Sequence, residues 1–336
     1  MRILAIETSC DETAMAVLEC SGGLRQPKFK VLAEVVASQI PVHRPFGGVV
    51  PNLAKREHIK NLPIIYRQIE KKLSLPNDRK IRKVDMIAVT VGPGLEPALW
   101  AGITFAQELG KQLKMPVVGV NHLEGHVYSN WLDNKKIKFP AICLIVSGGH
   151  TILLLMKSMT KWQILGETRD DAVGEAFDKV AKMLDLPYPG GPEVERLAKT
   201  YRNGISIDFP KPMIYEKNYD FSFSGLKTAV LYYLRDHKKI NKSQVCASFQ
   251  KAAVDVLVHK TMRAVGEFKA GSVLLCGGVA SNKALQKELK TKSYKLKANF
   301  FVPPIKYNTD NAVMIAAAAY LSKKKYKIKA QGNLCI

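Results

Sequence analysis

Two histidines four residues apart form the clearest metal-binding pattern in the chain. They lie in the segment His122-Leu123-Glu124-Gly125-His126, and in a helix this spacing places both imidazoles on one face. Such a pair can hold a divalent cation if a third ligand comes from elsewhere in the chain. The alternative is a surface helix that carries two unrelated histidines. A metalloprotease is disfavoured, because its catalytic glutamate must directly follow the first histidine, where this chain has Leu123.

A carboxylate is the expected third ligand, and Asp310 is a candidate for it. Asp310 lies in the run Asn308-Thr309-Asp310-Asn311, just before a predicted helix over Ala312–Leu321. The alternative is that Asp310 caps this helix or stabilises its first turn. Spacing alone favours the cap.

Glycine turns follow several of the predicted strands. The strand 85–91 runs into Gly92-Pro93-Gly94, and the strand 273–276 runs into Gly277-Gly278, after which Ser281-Asn282 opens a helix. Glycine lets a ligand approach the backbone closely, and a helix N-terminus offers free N–H groups to anions. One such turn is ordinarily only a turn. Several of them in one α/β chain favour a nucleotide-binding cleft.

Two segments of the chain share one arrangement of strands. Residues 2–18 and 140–156 each contain an apolar strand, a small polar turn and a second apolar strand, which is typical of a hairpin. The pattern predicts two structurally related α/β halves. The stretch from about 170 to 260 is predicted to be a mainly helical insertion that caps one half. The lysine-rich tail from Lys323 onward is predicted to be loosely ordered.

Composition narrows the class of protein. The chain has 336 residues and a formal net charge of +22, which indicates either an anionic partner such as nucleic acid or a surface merely rich in lysine. Its six cysteines show no metal spacing and are typical of free thiols in a reducing cytosol.

Strand-like residues begin at Arg2, so no targeting segment is expected. The uncharged run 139–156 is broken by Ser147-Gly148-Gly149-His150, so a soluble protein is predicted rather than a membrane helix.

Taken together, the motifs of the chain resemble the TsaD family, which also includes the catalytic subunits of the archaeal and eukaryotic KEOPS complex. The matching segments occur in the family order and cover nearly the whole chain up to about Leu321. They are residues 6–13, 47–51, 92–95, 121–126, 146–150, 171–179, 188–192, 221–228, 277–282 and 309–311. The combination is highly specific, although no single motif is.

The resemblance implies a fold and a division of the chain. The fold is the α/β actin-like ATPase (ASKHA) fold, with two duplicated RNase H-like halves and a helical insertion. The implied halves are residues 1–137 and 138–336, with the insertion at about 170–260. A helix at about 310–322 is expected to pack back across the cleft.

The resemblance also implies roles for individual residues. His122, His126 and Asp310 match the family's metal ligands, which replaces the cap interpretation of Asp310. One divalent ion per chain is therefore expected, iron(II) or, as the alternative, zinc. Asp11 matches an acid associated with catalysis. The residues that match the binding site of the adenylate substrate are Ile145, Val146, Ser147, Gly148, Gly149, Asp178, Gly191, Glu195 and Asn282.

The activity implied is that of a cytoplasmic tRNA N(6)-adenosine threonylcarbamoyltransferase. The group moves from threonylcarbamoyl-AMP to the adenosine 3′ of the anticodon, position 37, in tRNAs that read ANN codons. TsaB-like and TsaE-like proteins are the implied partners. The alternatives are a small-molecule kinase on the same fold and a non-catalytic assembly module. Both are disfavoured, because a kinase has no use for the three metal ligands and the family's non-catalytic relative lacks them.

Some positions depart from the usual bacterial pattern of the family. Asn52 replaces a common Glu, Pro97 replaces a Gly, and Asn308 replaces a frequent Cys. None of the three matches a ligand, so activity is still expected. The basic runs 71–72, 79–83, 238–239 and 287–297 are either contacts to the tRNA backbone or solvated faces.

Overall fold

The computed structural model describes residues 1–24, 26–73, 84–133, 135–202, 204 and 206–336. These residues form two compact units. One consists of Met1–Lys135 together with Pro303–Ile336, and the other is Lys136–Val302. The segment 303–336, predicted to belong to the second half, is therefore part of the first unit.

The first unit is built on a five-stranded sheet in the order β3-β2-β1-β4-β5. Its strands are β1 (Arg2–Glu7), β2 (Glu12–Ser21), β3 (Lys28–Ser38), β4 (Met86–Gly92) and β5 (Val117–Asn121). The pairs β1/β2 and β2/β3 are antiparallel, whereas β1/β4 and β4/β5 are parallel. The helices described in this unit are α1 (Ile40–His43), α2 (Pro51–Leu73), α3 (Glu96–Leu113), α4 (His122–Tyr128) and α10 (Ala312–Leu321).

Apolar residues on both faces of β1 bury this sheet from two sides. Leu4 and Ile6 share a core cluster with Leu62 of α2 and Leu99 of α3. Helix α10 packs against β1, β2 and α4. Its sequence, AVMIAAAAYL, is apolar around nearly its whole circumference, which is typical of a helix buried inside a domain rather than lying at its surface.

The second unit repeats the same topology. Its sheet has the order β10-β9-β6-β7-β8, with antiparallel β6/β7 and β7/β8 and parallel β6/β9 and β9/β10. The strands are β6 (Ala141–Val146), β7 (Thr151–Ser158), β8 (Lys161–Glu167), β9 (Ser272–Cys276) and β10 (Asn299–Phe301). The helices are α5 (Val173–Met183), α6 (Gly190–Ala198), α7 (Ser224–Asp236), α8 (Lys242–Glu267) and α9 (Lys283–Lys295). The prediction of two related α/β halves is thus confirmed.

The C-terminal segment is ordered, and the prediction of a loose tail is wrong. Tyr326 pairs with Gly119 of β5, and the backbone N–H of Gln331 donates to the carbonyl of Val91 at 2.8 Å. Ala330 and Leu334 pack onto the core of the first unit. Lysines dominate the start of this segment, but the apolar residues spaced between and after them bind it to the sheet, because each buries apolar area.

Length and polarity of the helices bear on membrane insertion. Among the ranges described above, no helix is both long enough and apolar enough to cross a bilayer.

Candidate active site

Both histidines of the H-x-x-x-H motif lie on α4, which follows β5 directly. All seven residues of α4 are buried. The side-chain oxygen of Asn121 caps this helix by accepting from the backbone N–H groups of Leu123 at 2.8 Å and Glu124 at 3.2 Å. The helical spacing places the two imidazoles on one face, with ring centroids 4.7 Å apart. The interpretation as two unrelated surface histidines is therefore wrong.

Asp310 reaches these imidazoles from the segment before α10. Its Oδ1 lies 3.4 Å from Nε2 of His122 and 3.2 Å from Nε2 of His126. The residue that caps α10 is instead Asn311, whose Oδ1 accepts from the backbone N–H of Met314 at 2.9 Å. The cap interpretation of Asp310 is wrong, because the neighbouring amide occupies that role.

The donor set of these three residues fits a divalent cation. One nitrogen from each histidine and one oxygen of Asp310 all lie within 4.8 Å of one another. Neither ring nitrogen of His126 has a hydrogen-bond partner within the described part of the chain, although both are buried. Burying an imidazole in this way is costly, and coordination of an ion by Nε2 would give one of its two nitrogens a partner.

Glu7, at the end of β1, holds His122 in the orientation that such a site requires. Its Oε2 lies 3.1 Å from Nδ1 of His122, and its two oxygens also accept from the hydroxyl of Thr90 and the backbone N–H of Ser9, both at 2.5 Å. Because the carboxylate accepts the Nδ1–H of His122, Nε2 is left to face Asp310. Glu7 was not among the site residues predicted from the sequence, although it lies in the matched segment 6–13 and ends a strongly apolar strand.

The carboxylates near His122 and the burial of the site shift the pKa values of its residues. Burial disfavours a charged His122, but the carboxylates of Asp310 and Glu7 outweigh it and raise the pKa of His122 well above its usual value. Burial also opposes ionisation of Asp310 and Glu7, yet in each case the imidazole of His122 prevails and lowers the pKa. Burial lowers the pKa of His126, so this imidazole is neutral at neutral pH.

Asp11 lies in the turn between β1 and β2, in the same unit as the three predicted metal ligands. Asp11 is buried, with 6% of its surface exposed. Burial, together with the nearby charges of Asp11 and Asp310, raises the pKa of Glu12 well above its usual value. The turn also contacts this candidate metal site, since the Ser9 hydroxyl lies 3.2 Å from Nδ1 of His122. The catalytic role of Asp11 stays a prediction.

The predicted phosphate-side residues of the second unit lie at the β6–β7 hairpin. Ile145 and Val146 are fully buried in β6, so only their main chains could face a ligand. Ser147 closes the turn with a backbone hydrogen bond to the carbonyl of His150 at 2.8 Å. Gly148 and Gly149 are exposed, and the space around their Cα atoms is open. The turn therefore presents main chain rather than side chains to its surroundings.

The other predicted adenylate residues form a connected group in the second unit. Oδ1 of Asp178 accepts from the backbone N–H of Gly190 at 2.8 Å, at the start of α6, and Gly191 is surrounded by open space. Glu195 of α6 accepts from the backbone N–H of Lys283 at 3.0 Å, and the preceding residue, Asn282, caps α9. The structure thus brings α6 and the start of α9 together, while the binding role of these residues stays a prediction.

Solved structures of other proteins show the same fold at low sequence identity. HypF from T. kodakarensis matches with a TM-score of 0.62 and 14% identity, over 95% of this chain and 47% of HypF. Component A of the (R)-2-hydroxyglutaryl-CoA dehydratase of Acidaminococcus fermentans matches with a TM-score of 0.54 and 13% identity, over 95% of this chain and 98% of that one. These similarities concern the fold alone, and they confirm the predicted actin-like ATPase fold.

Sequence comparison identifies the family. A family model described as TsaD, tRNA N6-adenosine threonylcarbamoyltransferase, matches residues 30–317. The protein of that name from Thermosipho melanesiensis is 50% identical over 322 residues, or 95% of this chain and 94% of the relative. The one from Moorella thermoacetica is 47% identical over 323 residues, or 95% and 91%. With the family model spanning most of the chain and these relatives covering nearly all of it, the chain belongs to the TsaD family of tRNA N6-adenosine threonylcarbamoyltransferases.

Proposed function

We propose that this chain transfers the threonylcarbamoyl group from threonylcarbamoyl-AMP to the N(6) amine of adenosine 37 in tRNAs that read ANN codons, at a metal-dependent site in the cytoplasm. The observation that carries the metal-dependent part is the group of His122, His126 and Asp310, in which both histidines are buried and both Nε2 atoms lie within 3.4 Å of one carboxylate oxygen. Membership of the TsaD family supports the transferase activity and the tRNA substrate.

The residues that would hold the ion are Nε2 of His122, Nε2 of His126 and Oδ1 of Asp310. An ion held there would supply Lewis-acid stabilisation of charge on the acyl donor and would help to orient the donor. Two imidazoles and one carboxylate suit iron(II), which we propose as the native metal, with zinc as the alternative. Glu7 would keep His122 in the correct tautomer and ring orientation for this task.

The chemical step joins the N(6) nitrogen of adenosine to the carbamoyl carbon and breaks the bond from that carbon to the AMP phosphate oxygen. AMP leaves with the bonding electron pair, and the attacking amine loses a proton. We assign acceptance of that proton to Asp11. Main-chain N–H groups of the Ser147-Gly148-Gly149 turn would stabilise charge on the departing phosphate.

Recognition of tRNA is proposed to rest on basic surfaces. Lysines of the run 287–297 on and after α9 are exposed, and so are Lys238 and Lys239 and the end of α2 at Lys71 and Lys72. The run 79–83 lies outside the described residues. Neutralising phosphates with lysine releases counterions, so affinity for tRNA is expected to fall steeply as salt rises. Salt-independent binding would contradict this part of the proposal.

TsaB-like and TsaE-like proteins are proposed as partners. The support is the family alone, so the activity assay should contain the chain both by itself and with each protein. A product that forms only in their presence would support the partnership. Equal activity without these proteins would contradict the proposed partnership but not the proposed transferase activity.

The experiment that tests the function is mass spectrometry of nucleosides from unmodified tRNA after incubation with the metal-loaded protein and threonylcarbamoyl-AMP. Threonylcarbamoyladenosine is expected with the unaltered chain and with His259→Ala, which removes an exposed histidine of α8. His122→Ala is expected to abolish the product. Absence of product with every partner combination would overturn the proposal, and full activity of His122→Ala would overturn the metal assignment.

A further inference from the structure

Three successive carbonyl groups of the β1–β2 turn are held by hydrogen bonds from other parts of the first unit. The backbone N–H of Leu95 donates to the carbonyl of Ser9, and that of Gln39 donates to the carbonyl of Asp11, both at 2.8 Å. The carbonyl between them, that of Cys10, accepts instead from a side chain, Nε2 of His58 at 2.9 Å. Of the three, only this contact can be removed by changing one side chain.

His58 lies on α2 and is completely buried. The carbonyl of Cys10 can only accept, so the hydrogen on the ring of His58 is at Nε2. In a neutral imidazole the other nitrogen is then an acceptor. Nδ1 of His58 lies 2.8 Å from the hydroxyl of Thr13 and 3.2 Å from the side-chain nitrogen of Gln39, both of which can donate to it.

The direction of these hydrogen bonds continues from Gln39 to a second buried histidine. The side-chain oxygen of Gln39 accepts from Nε2 of His43 at 3.0 Å, so His43 also carries its hydrogen at Nε2. Nδ1 of His43 then accepts from the backbone N–H of Val50 at 3.3 Å. A single chain of donors and acceptors therefore runs from Val50 through His43, Gln39 and His58 to the carbonyl of Cys10.

This chain of hydrogen bonds begins in the Gly47-Gly48-Val49-Val50-Pro51 segment, which has no role in the candidate active site described above. It ends at the residue before Asp11 and next to Ser9, which contacts His122. Gln39 supports the turn in two ways. Its backbone N–H donates to the carbonyl of Asp11, and its side-chain nitrogen contacts His58, which in turn donates to Cys10. Every acceptor nitrogen in the chain requires that its histidine be neutral and in one tautomer.

We propose that His58 is a positioning residue of the transfer reaction: it fixes the Ser9–Glu12 turn through the carbonyl of Cys10, and Gln39 and His43 select the tautomer that allows it to do so. This inference rests on the proposed function for its kinetic consequence. Its structural part, the directed chain of hydrogen bonds, does not depend on the reaction. His58 touches no ligand residue of the metal group and acts only through the turn.

The test replaces His58 by Phe, which keeps a planar ring of similar volume but removes both ring nitrogens. Because small displacements of reacting groups cost on the order of 100-fold in rate, kcat for tRNA modification is expected to fall by about that factor while KM for tRNA stays within about threefold. The variant should still bind one metal ion per chain and unfold cooperatively. His58→Gln, which keeps a donor within reach of Cys10, should recover about tenfold of the lost rate.

The matched control is His259→Phe, which alters an exposed histidine on α8 and should leave kcat unchanged. A folded His58→Phe protein with kcat within about threefold of the unaltered chain would overturn the inference. Loss of the metal together with the rate would also overturn it, because His58 would then act on the ligands or on folding rather than on the turn.

Nitrogen NMR of the histidine side chains tests the same inference without any activity. His58 and His43 should both be neutral Nε2–H tautomers at neutral pH, and His43→Phe should shift the resonances of His58. An Nδ1–H tautomer or an imidazolium at either residue would overturn the proposed chain. If the unaltered protein forms no product, the proposed function fails, whereas this spectrum still decides whether the chain of hydrogen bonds exists.

Discussion

Oε2 of Glu7 lies 3.1 Å from Nδ1 of His122, and through this contact a buried carboxylate at the end of β1 orients the His122 imidazole of α4, a predicted metal ligand. Glu7 is fully buried and also binds Thr90 and Ser9, so its position is set from three directions. The imidazole it orients presents Nε2 to Asp310. The contact between Glu7 and His122 therefore connects the core of the sheet to the site that would hold the ion.

Replacement of Glu7 by Gln is expected to weaken metal binding without removing a ligand. The amide group cannot stabilise a charged or strongly polarised His122 as a carboxylate does, and loss of such a partner ordinarily costs 10- to 100-fold in metal affinity, on the order of what we expect here. Competition with a chelator measures this. Glu288→Gln, on the exposed face of α9, is the control and should leave affinity unchanged. Equal affinity in both variants would contradict the role of Glu7.

Metal affinity is expected to rise with pH through the neutral range. The carboxylates of Asp310 and Glu7 raise the pKa of His122 well above its usual value against the effect of burial, so the metal-free protein carries a proton there that the ion must displace. Below this raised pKa, affinity should increase by about tenfold per pH unit, and above it the dependence should vanish.

Titration of the metal-free protein with zinc between about pH 6 and pH 8 measures this dependence. His126 contributes little, because burial lowers its pKa and it is already neutral. An affinity that is the same at both ends of the range would show that His122 is neutral before the ion binds.

Asp11→Asn tests the assignment of the proton acceptor. The variant keeps the shape of the side chain and the backbone contact of Asp11 with Gln39, but an amide does not accept the proton. General-base catalysis is worth roughly 100- to 10,000-fold, so kcat should fall within that range. Single-turnover kinetics with saturating tRNA measures it, and filter binding reports tRNA affinity. Full turnover with normal tRNA affinity would remove Asp11 from the mechanism.

Asn308→Cys is expected to stabilise the protein. Asn308 is completely buried, and neither side-chain atom has a hydrogen-bond partner in the ranges that the structure describes. An unsatisfied buried amide costs about 1–3 kcal/mol, whereas the smaller cysteine has little hydrogen bonding to lose. The gain should be about 1 kcal/mol, because the smaller side chain also loses some packing.

Denaturant unfolding of the metal-loaded protein measures this gain. Asn52→Glu is the control, because Asn52 is exposed. This variant should change the free energy of unfolding by less than about 0.5 kcal/mol. A destabilised Asn308→Cys would mean that the amide is satisfied in solution, for instance by a buried water.

Local periodicity determined much of what the sequence alone could predict. The spacing of His122 and His126 predicts a shared helical face, and the two hairpins predict two related halves, because helices and hairpins repeat over a few residues. Asp310, the predicted third ligand, was different. Spacing favoured Asp310 as a helix cap, and only the resemblance to a family indicated a ligand. The structure shows why both views were plausible, since Asn311, one residue later, is the cap.

Tertiary structure alone decided which distant polar residues support the site. Glu7 meets His122, and His58 meets Cys10, across stretches of chain that have no common period. The C-terminal segment is rich in lysine at its start, yet its backbone pairs with β5 and β4. A sequence displays the regular repeat of one helix or strand, because neighbouring residues impose it. It does not display the partner of a buried carboxylate or imidazole, because that partner is chosen by how separate elements pack.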